Sequence, residues 1–65
     1  MTIELNLVSN NASFEFDIVN FYINIKYDTC IISLKNRMEK DDIKCINVDL
    51  ADLKKLAKII NDINL

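Results

Sequence analysis

The chain has 65 residues, 51% hydrophobic and 28% charged, with no His, no Gly and two Cys; this length supports one small domain that buries only ~60% of the surface its unfolded chain exposes. Without His or Gly it cannot build Ser-His-Asp or Cys-His nucleophile systems, Walker loops or dinucleotide fingerprints, because these need an imidazole proton carrier or a backbone that lets phosphate approach closely. Eight bases against ten acids, a net charge of -2, lack the basic footprint of a nucleic-acid binder.

Thr2 to Val8 alternates, with Ile3, Leu5 and Leu7 on one side and Thr2, Glu4 and Asn6 on the other, which predicts a half-buried strand over 2–8. Asn tolerates positive φ, so Asn10-Asn11 is the expected two-residue turn in a chain without Gly. It would pair Leu7 with Phe14, Leu5 with Phe16 and Ile3 with Ile18 in a strand over 12–19. The apolar parity then changes from even (Phe14, Phe16, Ile18) to odd (Phe21, Ile23, Ile25, Tyr27). Either a tight turn at Val19-Asn20, opening a strand over 21–27, or a bulge in one continuous strand restores the face.

Asp28-Thr29 is the next expected reversal, pairing Tyr27 with Cys30, Ile25 with Ile32 and Ile23 with Leu34 in a strand over 30–35. Asn36 to Asp42 is polar and reads as a longer connection. Ile43 to Val48 is a short apolar strand over 43–48, with Ile46 and Val48 facing inward. Asp49 is placed to accept a hydrogen bond from the first turn of a helix over 50–63, with Asp52 adding negative charge there. On a helical wheel Leu50, Leu53, Leu56, Ala57, Ile59, Ile60 and Ile63 cover about half the circumference, opposite Lys54, Lys55, Lys58 and Asn61. The fold class is α+β, an antiparallel meander of four to five strands with one C-terminal α-helix packed across one face. The arc is wider than one sheet contact needs, and Ile59 at its edge is the candidate dimer contact. A homodimer is expected, because the core is small and edge strands remain open.

Residues 1–25 carry Glu4, Glu15 and Asp17 and no base, whereas all eight bases lie in 26–65. The expected registers set Glu4 opposite Asp17, Asp17 opposite Tyr22, and Glu15 beside Asn6 and Asn24 on the polar face of the sheet. Like charges directly opposite are destabilising, so this face asks for water or an external basic partner. Glu4, Glu15, Asp17 and Tyr22 are therefore candidate partner-binding residues, joined by Arg37 in the polar connection, since loops commonly carry function. A divalent cation is the weaker reading for the three carboxylates, because flat sheets seldom converge oxygens as a loop does. No metal site is assigned: Cys30 and Cys45, fifteen apart with no His, do not complete a tetrahedral zinc site, and both read as buried or half-buried thiols. No cofactor is implied. No run approaches the ~18 apolar residues of a membrane span, and Met1-Thr2-Ile3-Glu4 lacks the basic start of a secretory signal, which predicts a cytoplasmic protein without a membrane partner.

These features predict a small non-enzymatic binding protein acting as inhibitor or regulator of a larger protein. In size, acidity and its Asn, Ile and Lys bias the chain is similar to phage and mobile-element inhibitors of bacterial defence systems, a likeness of class that rests on no motif. A structural or assembly subunit of a larger complex is the alternative. An enzyme using Glu4 and Asp17 as acid and base is the second.

Overall fold

A computed structural model describes residues 1–63, apart from the side chains of residues 40–42. Four strands, β1 (Thr2–Val8), β2 (Ile18–Asn24), β3 (Thr29–Asn36) and β4 (Glu39–Asp49), are followed by one helix, α1 (Leu50–Asp62). The strands form one antiparallel sheet in the order β1-β2-β3-β4, so the α+β meander with a C-terminal helix holds, with four strands.

Register follows the two-residue side-chain period. Ile3 faces Ile23, Leu5 faces Phe21 and Leu7 faces Val19 across β1 and β2. Ile23 continues to Cys30, Phe21 to Ile32 and Val19 to Leu34, and these lead to Val48, Ile46 and Lys44 on β4. Residues directly opposite share a face. These three apolar rows therefore lie on one side of the sheet, interrupted only by Lys44, whereas the row Val8-Ile18-Lys35-Ile43 lies on the other, so Ile18, expected inward with Phe14 and Phe16, faces away from them. The other side carries the rows Glu4-Tyr22-Ile31-Asn47 and Asn6-Asn20-Ser33-Cys45.

The strand expected over 12–19 does not form. Residues 9–17 are a loop whose centre is an Asx turn: Ser13 donates from its amide (3.0 Å) and hydroxyl (2.7 Å) to Asn11 Oδ1, and the Phe14 amide donates to the Asn11 carbonyl. The pairs Leu7 with Phe14, Leu5 with Phe16 and Ile3 with Ile18 are accordingly replaced. Ala12, Ser13, Glu15 and Asp17 are weak strand formers, whereas Ile18, Val19, Phe21, Tyr22 and Ile23 are strong ones. Starting the strand at Ile18 also keeps one parity throughout, so neither a turn nor a bulge is needed at Val19-Asn20, which lies inside β2.

The β2–β3 reversal is a turn over residues 25–28 in which Asp28 takes a positive φ of 53°, a conformation for which Asp and Asn are enriched among residues with a Cβ. Cys30 therefore faces Ile23 where Tyr27 was expected. The slip of four residues is even, so no side chain changes face. The long connection over 36–42 is replaced by a tight Arg37-Met38 turn, with a register shift at Lys35/Asn36 and the Met38 amide bonded to Asn36 Oδ1 at 2.8 Å. β4 consequently begins at Glu39 and runs longer than the expected 43–48. Ile46 and Val48 do lie on the apolar face.

Asp49 is the N-cap residue of α1 but makes no side-chain cap bond. The Leu50 amide donates instead to the Asp28 carbonyl at 2.9 Å, which ties the start of the helix to the β2–β3 turn. Leu50 and Leu53 are half-buried, and Leu50, Leu53 and Ala57 line a groove with Ile23 and Ile25. No residue of α1 is fully buried. The helix touches the sheet through one side of its apolar arc and leaves the rest open.

Cys30 is fully buried on the apolar face, as its place in the inward series predicts. Cys45 is exposed, contrary to expectation, because it sits on the opposite face of a strand at the sheet edge. In the same polar row Asn20 is only 7% exposed, and its Oδ1 has no hydrogen-bond partner. A buried unpaired amide costs stability, and a β-branched residue suits a central strand. Asn20→Val should therefore raise the unfolding free energy by about 1 kcal/mol, read as a higher urea midpoint at unchanged m-value.

Candidate functional site

The most extensively hydrogen-bonded cluster of side chains joins the 9–17 loop to the β3–β4 turn. Loop 9–17 brings Asp17 to the end of β2, where the Ser9 amide donates to the Asp17 carbonyl at 2.7 Å. The adjacent Arg37-Met38 turn projects Arg37 toward it. The Arg37 amide donates to Asp17 Oδ1 at 3.0 Å, Arg37 Nε donates to Oδ2, and Arg37 Nη2 donates to the Ser9 carbonyl at 2.6 Å. Asn36 Nδ2 adds a bond to the Glu15 carbonyl at 3.0 Å.

Asp17 is 7% exposed, so its carboxylate, with both oxygens taken by Arg37, is not presented to a partner. The guanidinium hydrogen bond is the main reason its carboxyl lies below the ordinary value of 3.8; burial opposes this, while the Arg37 amide and charge reinforce it. Among the described residues this is an internal clamp between segments about twenty positions apart. Two of the five candidate partner-binding residues satisfy each other.

The remaining three do not join them. Glu4 faces Tyr22 across β1 and β2, not Asp17, so the expected like-charge pair is absent. Asp17 lies five residues along the chain from Tyr22, about 17 Å at strand rise. Asn6 pairs with Asn20 and Asn24 with Thr2 and Thr29, not with Glu15, which lies in the loop with its carbonyl accepting from Asn36 Nδ2. The three carboxylates are thus distributed along the molecule. Among the described residues no group of three or more Cys, Asp or Glu converges as metal ligands do.

The helix presents a different kind of surface. Leu56 is 51%, Ile59 61% and Ile63 50% exposed. At 100° per residue these three point roughly 120° away from the side formed by Leu50, Leu53 and Ala57. Lys55 borders the bare strip, with Lys54 and Lys58 farther round. The wheel identified every residue of this surface; which part of the arc stays open depends on the roll of the helix. Missed in the sequence were Ser9 and Asn36 as clamp members. The local signal for Asn36 was an Asx-turn residue just after an apolar strand.

Among the described residues no helix is long and apolar enough to cross a membrane. No family model, curated protein or solved structure matches this chain.

The clamp has a pH signature. Because the Asp17 carboxyl is depressed in the folded state, its contribution to stability is present above the unfolded value near 3.8 and is lost as pH falls through the lower folded value. The difference in thermal midpoint between the wild type and Asp17→Asn should therefore be largest near pH 6 and shrink below about pH 4. Thermal melts at stepped pH, followed by circular dichroism, measure it.

Proposed function

We propose that this protein works without catalysis, as an inhibitor or regulator that blocks a surface of a larger protein through its helix. The observation that carries the reading is the strip formed by Leu56 and Ile59 with Ile63 at the C-cap, each at least half exposed beside a helix whose other side already meets the sheet. Large aliphatic side chains held in contiguous exposure mark interaction surfaces, and an amphipathic helix typically engages its partner by laying such a strip into an apolar groove.

The border of the strip is of mixed charge, since Lys55 and Asp62 lie along one side of it and Asp52 stands one turn before Leu56 in the same line, so apolar shape and not net charge selects the groove. Glu4, Glu15 and Tyr22 remain available for secondary contacts, but the Asp17–Arg37 clamp removes the centre of the acidic face from the interface. Bacterial defence proteins are the first targets to try, on the likeness of class in size and composition.

Ile59→Glu places a charge in the middle of the strip without touching the sheet. Binding to a partner captured by the wild-type protein should weaken at least tenfold, about 1.4 kcal/mol or more, with the circular dichroism spectrum unchanged. Calorimetry on the purified pair measures the loss. Undiminished affinity would remove the helix strip from the interface, and capture of sibling structural proteins would favour an assembly subunit.

A further inference from the structure

A second surface is open at the other side of the sheet. β1 is an edge strand, and all seven of its residues are exposed. The phase of its hydrogen bonding follows from the two bonds that flank it. The Ile25 amide donates to the Met1 carbonyl and the Ser9 amide to the Asp17 carbonyl; both pairs extend the register in which Thr2 faces Asn24. Hydrogen-bonded and non-hydrogen-bonded pairs alternate in an antiparallel ladder. The odd residues of β1 therefore turn their backbone groups toward β2, and Thr2, Glu4, Asn6 and Val8 turn theirs to the open edge.

We propose that β1 pairs antiparallel with β1 of a second copy of this chain, on a two-fold axis through Leu5. In that register Thr2 faces Val8, Ile3 faces Leu7 and Glu4 faces Asn6 of the second copy, so the whole of Thr2–Val8 is paired. The residues exchanging hydrogen bonds are the even ones, whose backbone groups already point outward. Ile3, Leu5 and Leu7 occupy the non-hydrogen-bonded positions, where side chains approach most closely. Moving the axis to Glu4 would set two glutamates directly opposite, and moving it to Asn6 would shorten the overlap. The two sheets become one, with both apolar faces and both helices on the same side.

Three observations select a second copy as occupant. The strand is self-complementary in length and hydrogen-bond phase, as a two-fold contact requires, and the register sets no two charges directly opposite. The opposite edge is guarded: Lys44 of β4 stands on the apolar face with Nζ 5.6 Å from the Phe16 ring centre, and inward charge is a usual protection against edge pairing; β1 has none. Finally, the chain exposes 5483 Å², whereas a compact monomer of 7.5 kDa exposes about 4,250 Å². The surplus of about 1,200 Å² exceeds the ~800 Å² per partner of a standard interface. This contact does not use Ile59, so it stands or falls separately from the helix strip.

Sedimentation of the full chain should give twice the 7.5 kDa mass. Asn6→Pro deletes an outward amide while sparing the ladder to β2, and should weaken the dimer more than about tenfold; Ile59→Glu should leave it intact. In a Cys45→Ser background, Leu5→Cys should give a disulfide-linked dimer on oxidation, since the two positions meet on the axis at about 4.5 Å between Cα atoms. Ile3→Cys should not, because its two copies lie about 13 Å apart. Should Asn6→Pro fail to fold, the Leu5 and Ile3 pair decides alone. A wild type monomeric at several hundred micromolar, or bridging at Ile3 as readily as at Leu5, overturns the proposal.

Discussion

Cross-strand pairing with a two-residue period holds this molecule in its shape: a single sheet keeps Ile3, Leu5, Leu7, Val19, Phe21, Ile23, Cys30, Ile32, Leu34, Ile46 and Val48 on one side. A one-residue slip between any two strands would carry a whole apolar row to the polar face. The loop over 9–17 and the positive φ at Asp28 serve this constraint by changing direction without changing parity, and the odd shift at Lys35/Asn36 is confined to the end of the β3–β4 hairpin. The core that results is thin. Cys30 is the one fully buried side chain in the described residues, and the molecule is a slab with extents of 32 × 32 × 15 Å.

That thinness links fold to function. One helix of 13 residues leaning on the sheet by one side cannot cover a face four strands wide, so Ile3, Leu5, Leu7 and Ile46 remain 44–49% exposed. Apolar surface in water is unfavourable at roughly 25 cal/mol per Å². A small chain that retains this much of it has a driving force for association already built in. Two distinct surfaces share that force: the β1 edge, ordered by backbone hydrogen bonds and suited to an identical strand, and the helix strip, ordered by side-chain shape and suited to a groove.

The Asp17–Arg37 clamp has the opposite character. It consumes charge and places it in a half-buried network, which fastens the longest loop to the neighbouring β3–β4 hairpin. Arg suits that role because its planar fork reaches the carboxylate and the Ser9 carbonyl together. The same two residues, read as isolated charges, suggested a docking surface. Their mutual neutralisation moves the functional interest to the parts of the molecule with unsatisfied surface.

Residue pattern by itself determined the faces of the strands, Ile18 excepted, the meander, the helix start at Leu50 and the inward place of Cys30, Ile46 and Val48, because periodicity of two and of 3.6 is written in consecutive residues. It did not determine which segment pairs with β1. Alternation is unchanged by an even slip, so the position of Cys30 opposite Ile23 in place of Tyr27 leaves no trace in the pattern. The tertiary structure decided that residues 9–17 form a loop, since the gain from pairing the β-branched run starting at Ile18 outweighs that from the polar run before it. It also decided that Asp17 meets Arg37 and not Glu4, and that the helix rolls Leu53 toward the sheet and Ile59 away. Those outcomes depend on distances between residues far apart in the chain, and charge or hydrophobicity at one position carries no record of its partner.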